Sequence, residues 1–204
     1  LFGKDKNISR EEFLAYKYDK QYSKNSHVAN IFEKFLMDSE DISSDLKPAI
    51  DLLKNWNLSG EKQNKAAALA FLTFRHIGFN QEEYTYNYDK IINKMKEGIE
   101  FLTKNYGKID IPLGTVQRLK HGTVNLPLGG GPDMLRAIYT RNDGNIMKGV
   151  AGDCYIQFIE WDTEGNIRSE SIHQFGARTS VIDSKHYDDQ TKLFSKELMK
   201  PIRK

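Results

Sequence analysis

Ser171 and His173 stand two residues apart, and His186 is followed closely by Asp188 and Asp189. A hydroxyl, an imidazole and a carboxylate are the parts of a nucleophile, its base and the group that orients the base. On a strand, residues i and i+2 share a face, which would set Ser171 beside His173. That pair still falls short of a triad, because no Gly-x-Ser-x-Gly turn presents the hydroxyl. A free-standing hydrolase built on Ser171 and His173 is therefore not expected, and no catalytic residue is assigned. His186 with Asp188 and Asp189 could serve as acid–base machinery. The simpler reading is a hydrogen-bonded loop group that fixes the last segment on a sheet, with His173 a satisfied polar position at a strand end.

Other chemistry-bearing residues lead to structural expectations. The run Gly129-Gly130-Gly131-Pro132 lacks the Lys and hydroxyl that a phosphate-cradling P-loop carries after its glycines. It reads as a tight loop in which backbone approaches backbone, with Asp133 placed to cap a turn around Met134, Leu135 and Arg136. The five histidines, His27, His76, His121, His173 and His186, include no i, i+4 pair, and the one cysteine supplies no thiolate cluster. No metal site or cofactor is expected. Cys154 sits in an apolar run and reads as a buried, inert thiol.

The chain that must position these residues has 204 of them, enough for one or two compact units, with Lys plus Arg at 30 against 28 acids. The charges are interspersed rather than gathered in a basic stripe, which argues against nucleic-acid binding. No run of 18 apolar residues is present, so no membrane-spanning helix is expected. The opening residues carry neither an initiator Met nor a signal-peptide pattern, which reads as a processed product or an excised fragment.

The first half reads as helical. Ser9-Arg10-Glu11-Glu12 is a capping box. Val28, Ile31, Phe32, Phe35 and Leu36 make one apolar face of a helix over about 26–37. A third helix is expected over about 46–56 with Pro48 in its first turn. A fourth is expected over about 61–77, apolar nearly all round and hence buried. A fifth covers about 81–105 and closes near Gly107.

From residue 108 the pattern changes to loops up to Pro132 and then to strands near 137–139, 152–162 and 167–175. Residues 163–166 form the Gly-containing turn of a hairpin. In the first arm both faces are largely apolar, which predicts a central strand covered on two sides. Burying Tyr155, Ile156, Phe158, Ile159 and Trp161 there would contribute roughly 10 kcal/mol before entropy. The second arm reads as nearer an edge. Helices followed by antiparallel strands argue α+β, divided as a helical segment 1–107 and a loop-rich β segment 108–204 that together make one incomplete domain.

Several motifs, in order, carry a resemblance. They are the stretch from His121 through Leu126-Pro127-Leu128-Gly129-Gly130-Gly131-Pro132-Asp133 to Ala137, Ala151-Gly152-Asp153-Cys154-Tyr155, Ser169-Glu170-Ser171-Ile172-His173-Gln174-Phe175-Gly176, and His186-Tyr187-Asp188-Asp189-Gln190 with Leu193-Phe194. Ala49 to Asn57 matches a helix that ends in a Trp-Asn corner. The chain thereby resembles the penicillin acylase family of N-terminal-nucleophile hydrolases. It is most similar to the branch that deacylates N-acyl homoserine lactones and acylated peptides. Ser184-Lys185-His186 departs from the Ser-Pro that often precedes this histidine.

The resemblance implies an αββα sandwich and an enzyme cut from a precursor into a smaller and a larger chain. It implies a catalytic serine at the start of the larger chain, with its own α-amino group as base. It places this sequence in the last ~200 residues of that larger chain, so the catalytic groups would lie upstream of Leu1. The implied partners are the small chain and the N-terminal part of the large chain, and the implied compartment is periplasmic or extracellular. A chain of this kind alone would be inactive. The alternative is a non-catalytic binding or scaffold module that keeps the acylase fold.

Overall fold

The computed structural model describes residues 3–4, 6–75 and 86–202. Five helices open the chain: α1 (Arg10–Lys17), α2 (His27–Asp38), α3 (Lys47–Lys54), α4 (Ala67–Phe74) and α5 (Tyr88–Tyr106). The α1 start is the capping box, with the Glu12 N–H donating to Ser9 and the Ser9 N–H donating to Glu12. In α3, Pro48 occupies the first turn, as its missing N–H permits.

The fourth helix begins six residues later than its apolar pattern suggests. The Asn64 side-chain oxygen accepts from the N–H groups of Ala66 and Ala67 and holds the chain in a turn up to that point. All eight α4 residues are buried. Its expected end at 77 lies outside the described residues, as do 81–85 of the expected fifth helix and His76. The α5 helix is capped by Asn87, which accepts from the Lys90 N–H, and it closes on Gly107 in the left-handed conformation.

Trp56 sits at the centre of the helical core, edge-on to Tyr22, Phe32 and Phe71 at centroid distances of 5.2–6.0 Å. Its indole N–H donates to the Ser59 carbonyl at 3.0 Å, which makes the Trp-Asn corner a closed structural unit. This core continues past residue 107 into Ile111, Leu113, Val116, Met134 and Met147.

The second half is more regular than expected. A one-turn helix α6 (Leu113–Val116) leads into β1 (Gln117–His121) and β2 (Val124–Pro127). Both strands lie where only loops were anticipated. Their Gly and Pro residues fall at the turn and the edge, where a strand tolerates them. Then come β3 (Ile138–Asp143), β4 (Ile146–Gly152), β5 (Tyr155–Trp161), β6 (Ile167–His173), the short α7 (Thr191–Ser195) and β7 (Lys200–Pro201). The first sheet has the order β2-β1-β4-β3, antiparallel except for the parallel β1–β4 pair. The second is antiparallel in the order β5-β6-β7. The class is α+β.

The expected continuous strand over 152–162 is interrupted. β4 ends at Gly152, and the chain bends through Asp153 and Cys154 into β5 of the other sheet. Cys154 is therefore exposed in that bend, which corrects the expectation of a buried thiol. The positions of the hairpin arms are also reversed. Of the three strands in its sheet, β6 is the middle one and β5 lies at the edge. Ile156 and Phe158 of β5 enter a second core with Leu119, Leu128, Ile138, Ile172 and Phe194, whereas Tyr155, Ile159 and Trp161 are 46, 42 and 65% exposed. Within this chain the strand buries about 4 kcal/mol of side chain, not 10.

Candidate functional site: the open face of the second sheet

Strand alternation separates the two faces of β5 and β6. The inner face presents Ile156 opposite Ile172, and Phe158 meets the edge of Phe13 from α1 at 5.2 Å. The outer face presents the pairs Trp161–Ile167, Ile159–Ser169, Gln157–Ser171 and Tyr155–His173. Ile167 is 49% exposed, so Trp161, Ile159 and Ile167 form an apolar row open to solvent at the hairpin end. The hairpin tip is fixed by Asp162, whose carboxylate accepts from the N–H groups of Glu164 and Asn166 and from the Asn166 side chain. The Asn166 contacts come first among the causes that hold the Asp162 carboxyl below its usual range.

At the other end the same face dips into a cleft of about 620 Å³ lined by Tyr155, Ser171, His186, Asp189, Gln190 and Lys200, with Ala177, Pro201 and Ile202. The fold thus brings together Ser171, His186 and Asp189, which the sequence separates by up to 18 positions. Nδ1 of His186 lies 2.9 Å from Oδ2 of Asp189. His186 is tied within its own loop, its carbonyl accepting from the Arg178 N–H at 3.0 Å. The bond from this segment to the sheet is made by Gln190, whose side-chain oxygen accepts from the His173 N–H. His173 itself packs its ring on Tyr155 at 4.7 Å. Among the described residues no hydrogen bond joins Ser171 to either histidine, so the geometry assembles no activated nucleophile. His121 is held between the rings of Phe175 and Tyr187, each 4.2 Å away.

Behind the inner face lies a buried charge cluster that no sequence motif announced. Arg136 is 1% exposed. It donates to Asp153 at 2.9 Å and to the Phe194 carbonyl at 3.1 Å, and its Nε is 3.4 Å from Glu197. Lys17 of α1 reaches Asp153 at 2.8 Å, and Lys20 reaches Glu197 at the same distance. The guanidinium also stands over the Phe194 ring at 4.2 Å. Burial pushes the nearby Tyr18 hydroxyl up to about 12, with the Arg136 cation pulling the other way. These partners lie up to 177 residues apart. No local spacing could reveal them, and the only hint was an arginine next to a glycine-rich loop.

That loop works as a close-approach device. Gly130 has φ +96°, and its N–H donates to the Gly60 carbonyl at 2.8 Å. A Cβ there would collide with the Arg136 carbonyl, and one at Gly131 would meet the Phe71 ring at 2.5 Å. The Gln117 side chain donates to the Leu128 and Gly130 carbonyls from below. Asp133 does not cap the following turn as expected. It adopts φ +57° and accepts from the Tyr139 hydroxyl at 2.9 Å, while the Arg136 N–H goes to the Asp19 carbonyl.

No group of three or more His, Cys, Asp or Glu side chains among the described residues is placed to hold a metal ion. No described helix is long and apolar enough to cross a membrane. No curated protein matches the chain. A family profile described as penicillin amidase matches residues 1–203. That match runs through both cores, both sheets and the triglycine loop, and on that ground the chain belongs to the penicillin amidase family of amide hydrolases.

Proposed function

We propose that this chain is the sheet-completing part of an acylase that cleaves the acyl amide of N-acyl homoserine lactones or related acylated amines. The nucleophilic serine, its α-amino base and the oxyanion hole belong to a segment upstream of Leu1. The small chain and the N-terminal part of the large chain are the partners, and the assembled enzyme works in the periplasm or outside the cell. The residues of this chain take no part in bond cleavage; they hold the nucleophile-bearing sheet in place.

The observation that carries the reading is the outer face of β5 and β6. Trp161 and Ile159 of the edge strand β5, with Ile167 of β6 opposite Trp161, form a solvent-exposed apolar row, and among the described residues β5 pairs only with β6. Natural proteins cover or charge such edges, and a second sheet laid on this face would bury it.

The test is release of free amine from an acylated homoserine lactone, measured for the chain alone and for the chain produced together with its upstream gene segment. Turnover should require both. Turnover by the chain alone would defeat the proposal. An upstream reading frame that encodes no autocleaved serine would favour the scaffold module instead.

A further inference from the structure

The cleft at the end of the open face has a chemistry of its own. Ser171 is 4% exposed and lines the cleft. Its neighbour Ile172 points into the inner core, so strand alternation directs the Ser171 side chain to the cleft side. Among the described residues its hydroxyl has no hydrogen-bond partner, which leaves it free to donate to a ligand in the cleft. Lys200 stands directly opposite Ser171 in the β6–β7 register, a spacing at which cross-strand side chains touch. Lys200 is half-buried and, among the described residues, makes no ion pair.

The imidazole and the carboxylate on the facing wall are already committed to each other. Asp189 accepts from His186 at Nδ1, which leaves Nε2 as the remaining polar atom of the imidazole. The cleft thus offers an unpaired ammonium and an unbonded hydroxyl beside an oriented imidazole. Tyr155, Pro201 and Ile202 supply an apolar lining. Its volume falls in the range of small-molecule sites.

We propose that this cleft binds a small organic carboxylate. One carboxylate oxygen takes the Lys200 ammonium and the other takes the Ser171 hydroxyl, and a short apolar body lies against Tyr155 and Ile202. A carboxylate accepts from both free donors and also balances the ammonium charge, whereas a neutral carbonyl leaves that charge uncompensated and a cation repels it. The inference does not rest on the acylase reading. A chain that binds the acid but never joins an active enzyme would keep this inference and lose that one.

The experiment is equilibrium dialysis of radiolabelled hexanoate against the chain, with near-ultraviolet circular dichroism to check that each variant is folded. Dialysis counts bound ligand whether or not the chain self-associates. One hexanoate per chain is expected at saturation. Lys200→Met should weaken binding about tenfold, Lys200→Arg should retain it, and Ser171→Ala should weaken it by a smaller factor. Hexanamide should not compete. Equal competition by hexanamide, unchanged binding in Lys200→Met, or no saturable binding up to about 10 mM would each overturn the proposal. Saturable binding of a labelled short glutamate-rich peptide, with no measurable binding of hexanoate, would overturn it too, since the cleft would then take a polypeptide carboxylate.

Discussion

Individual residues in this chain are constrained for reasons that differ in kind, and substitutions can tell them apart. Gly130 and Gly144 both have positive φ, at +96° and +61°. A Cβ at Gly144 would meet nothing within 4 Å, whereas one at Gly130 would strike the Arg136 carbonyl. Gly144→Ala should therefore cost only the left-handed backbone penalty of about 1 kcal/mol. Gly130→Ala should cost several times more and displace the loop, a contrast that denaturant midpoints of the two variants will show. Arg136 is constrained by charge. Truncating it to Ala leaves Asp153 with Lys17 and Glu197 with Lys20 as their remaining cations, so the charge part of the cost should stay below the about 3–5 kcal/mol typical of a buried ion left with no partner. Arg136→Met keeps the volume over the Phe194 ring but not the charge. If it proves as destabilising as the alanine variant, the electrostatic part of the cluster outweighs its packing.

Elements are held by caps and turns whose carboxylates respond to pH. Asp162 closes the β5–β6 hairpin, and its hydrogen bonds, the Asn166 side chain's first, favour the ionised form. A carboxyl whose folded value is depressed contributes stability above its unfolded value, and that contribution is lost as pH falls through the folded one. Acidification below the ordinary carboxylate range should therefore loosen the hairpin tip. Amide exchange at Glu164 and Asn166 should rise there, and Asp162→Asn should show a flatter acid response. The same elements mark how far the sequence could be read. The capping box, the Gly107 end of α5 and the 163–166 turn were legible because each depends on residues a few positions apart. The β1–β2 hairpin was not, because Gln117, Arg118, Lys120 and His121 show no apolar alternation. Only Leu119 reaches the second core, and the rest of the pairing is set by neighbours in space. The reversed order of β5 and β6 had the same cause. Apolar residues on both faces of β5 read alike in the sequence, whether or not this chain covers them. The cleft formed by Ser171, Lys200 and His186 was invisible for the reason that hid Arg136, since its parts meet only after folding.

At the scale of the whole molecule the two faces of β5 do different work, and this separates the stability of the chain from its association. Phe158 and Ile156 belong to a core that also contains Ile172 and Phe194, with the half-exposed Phe13 ring edge-on to Phe158, so they are part of what makes this chain fold. Phe158→Ala should lower the stability of the chain itself by about 3–5 kcal/mol, as large-to-small changes in a packed core do. Trp161 and Ile167 pair across strands on the outer face and stay largely exposed. Trp161→Ser with Ile167→Thr removes apolar surface that the folded chain does not bury, so its thermal midpoint should move little. The doubly substituted chain should be more monodisperse in sedimentation than the parent, because an exposed apolar row is a surface for self-association. Produced with its upstream segment, it should assemble less and release less amine from an acylated lactone, in proportion to the chain that fails to join. A double variant that melts much lower than the parent would mean that the outer face is internal to this chain's own fold. Unchanged assembly and turnover would mean that the partner sheet lies elsewhere, and the apolar row would then need a different occupant.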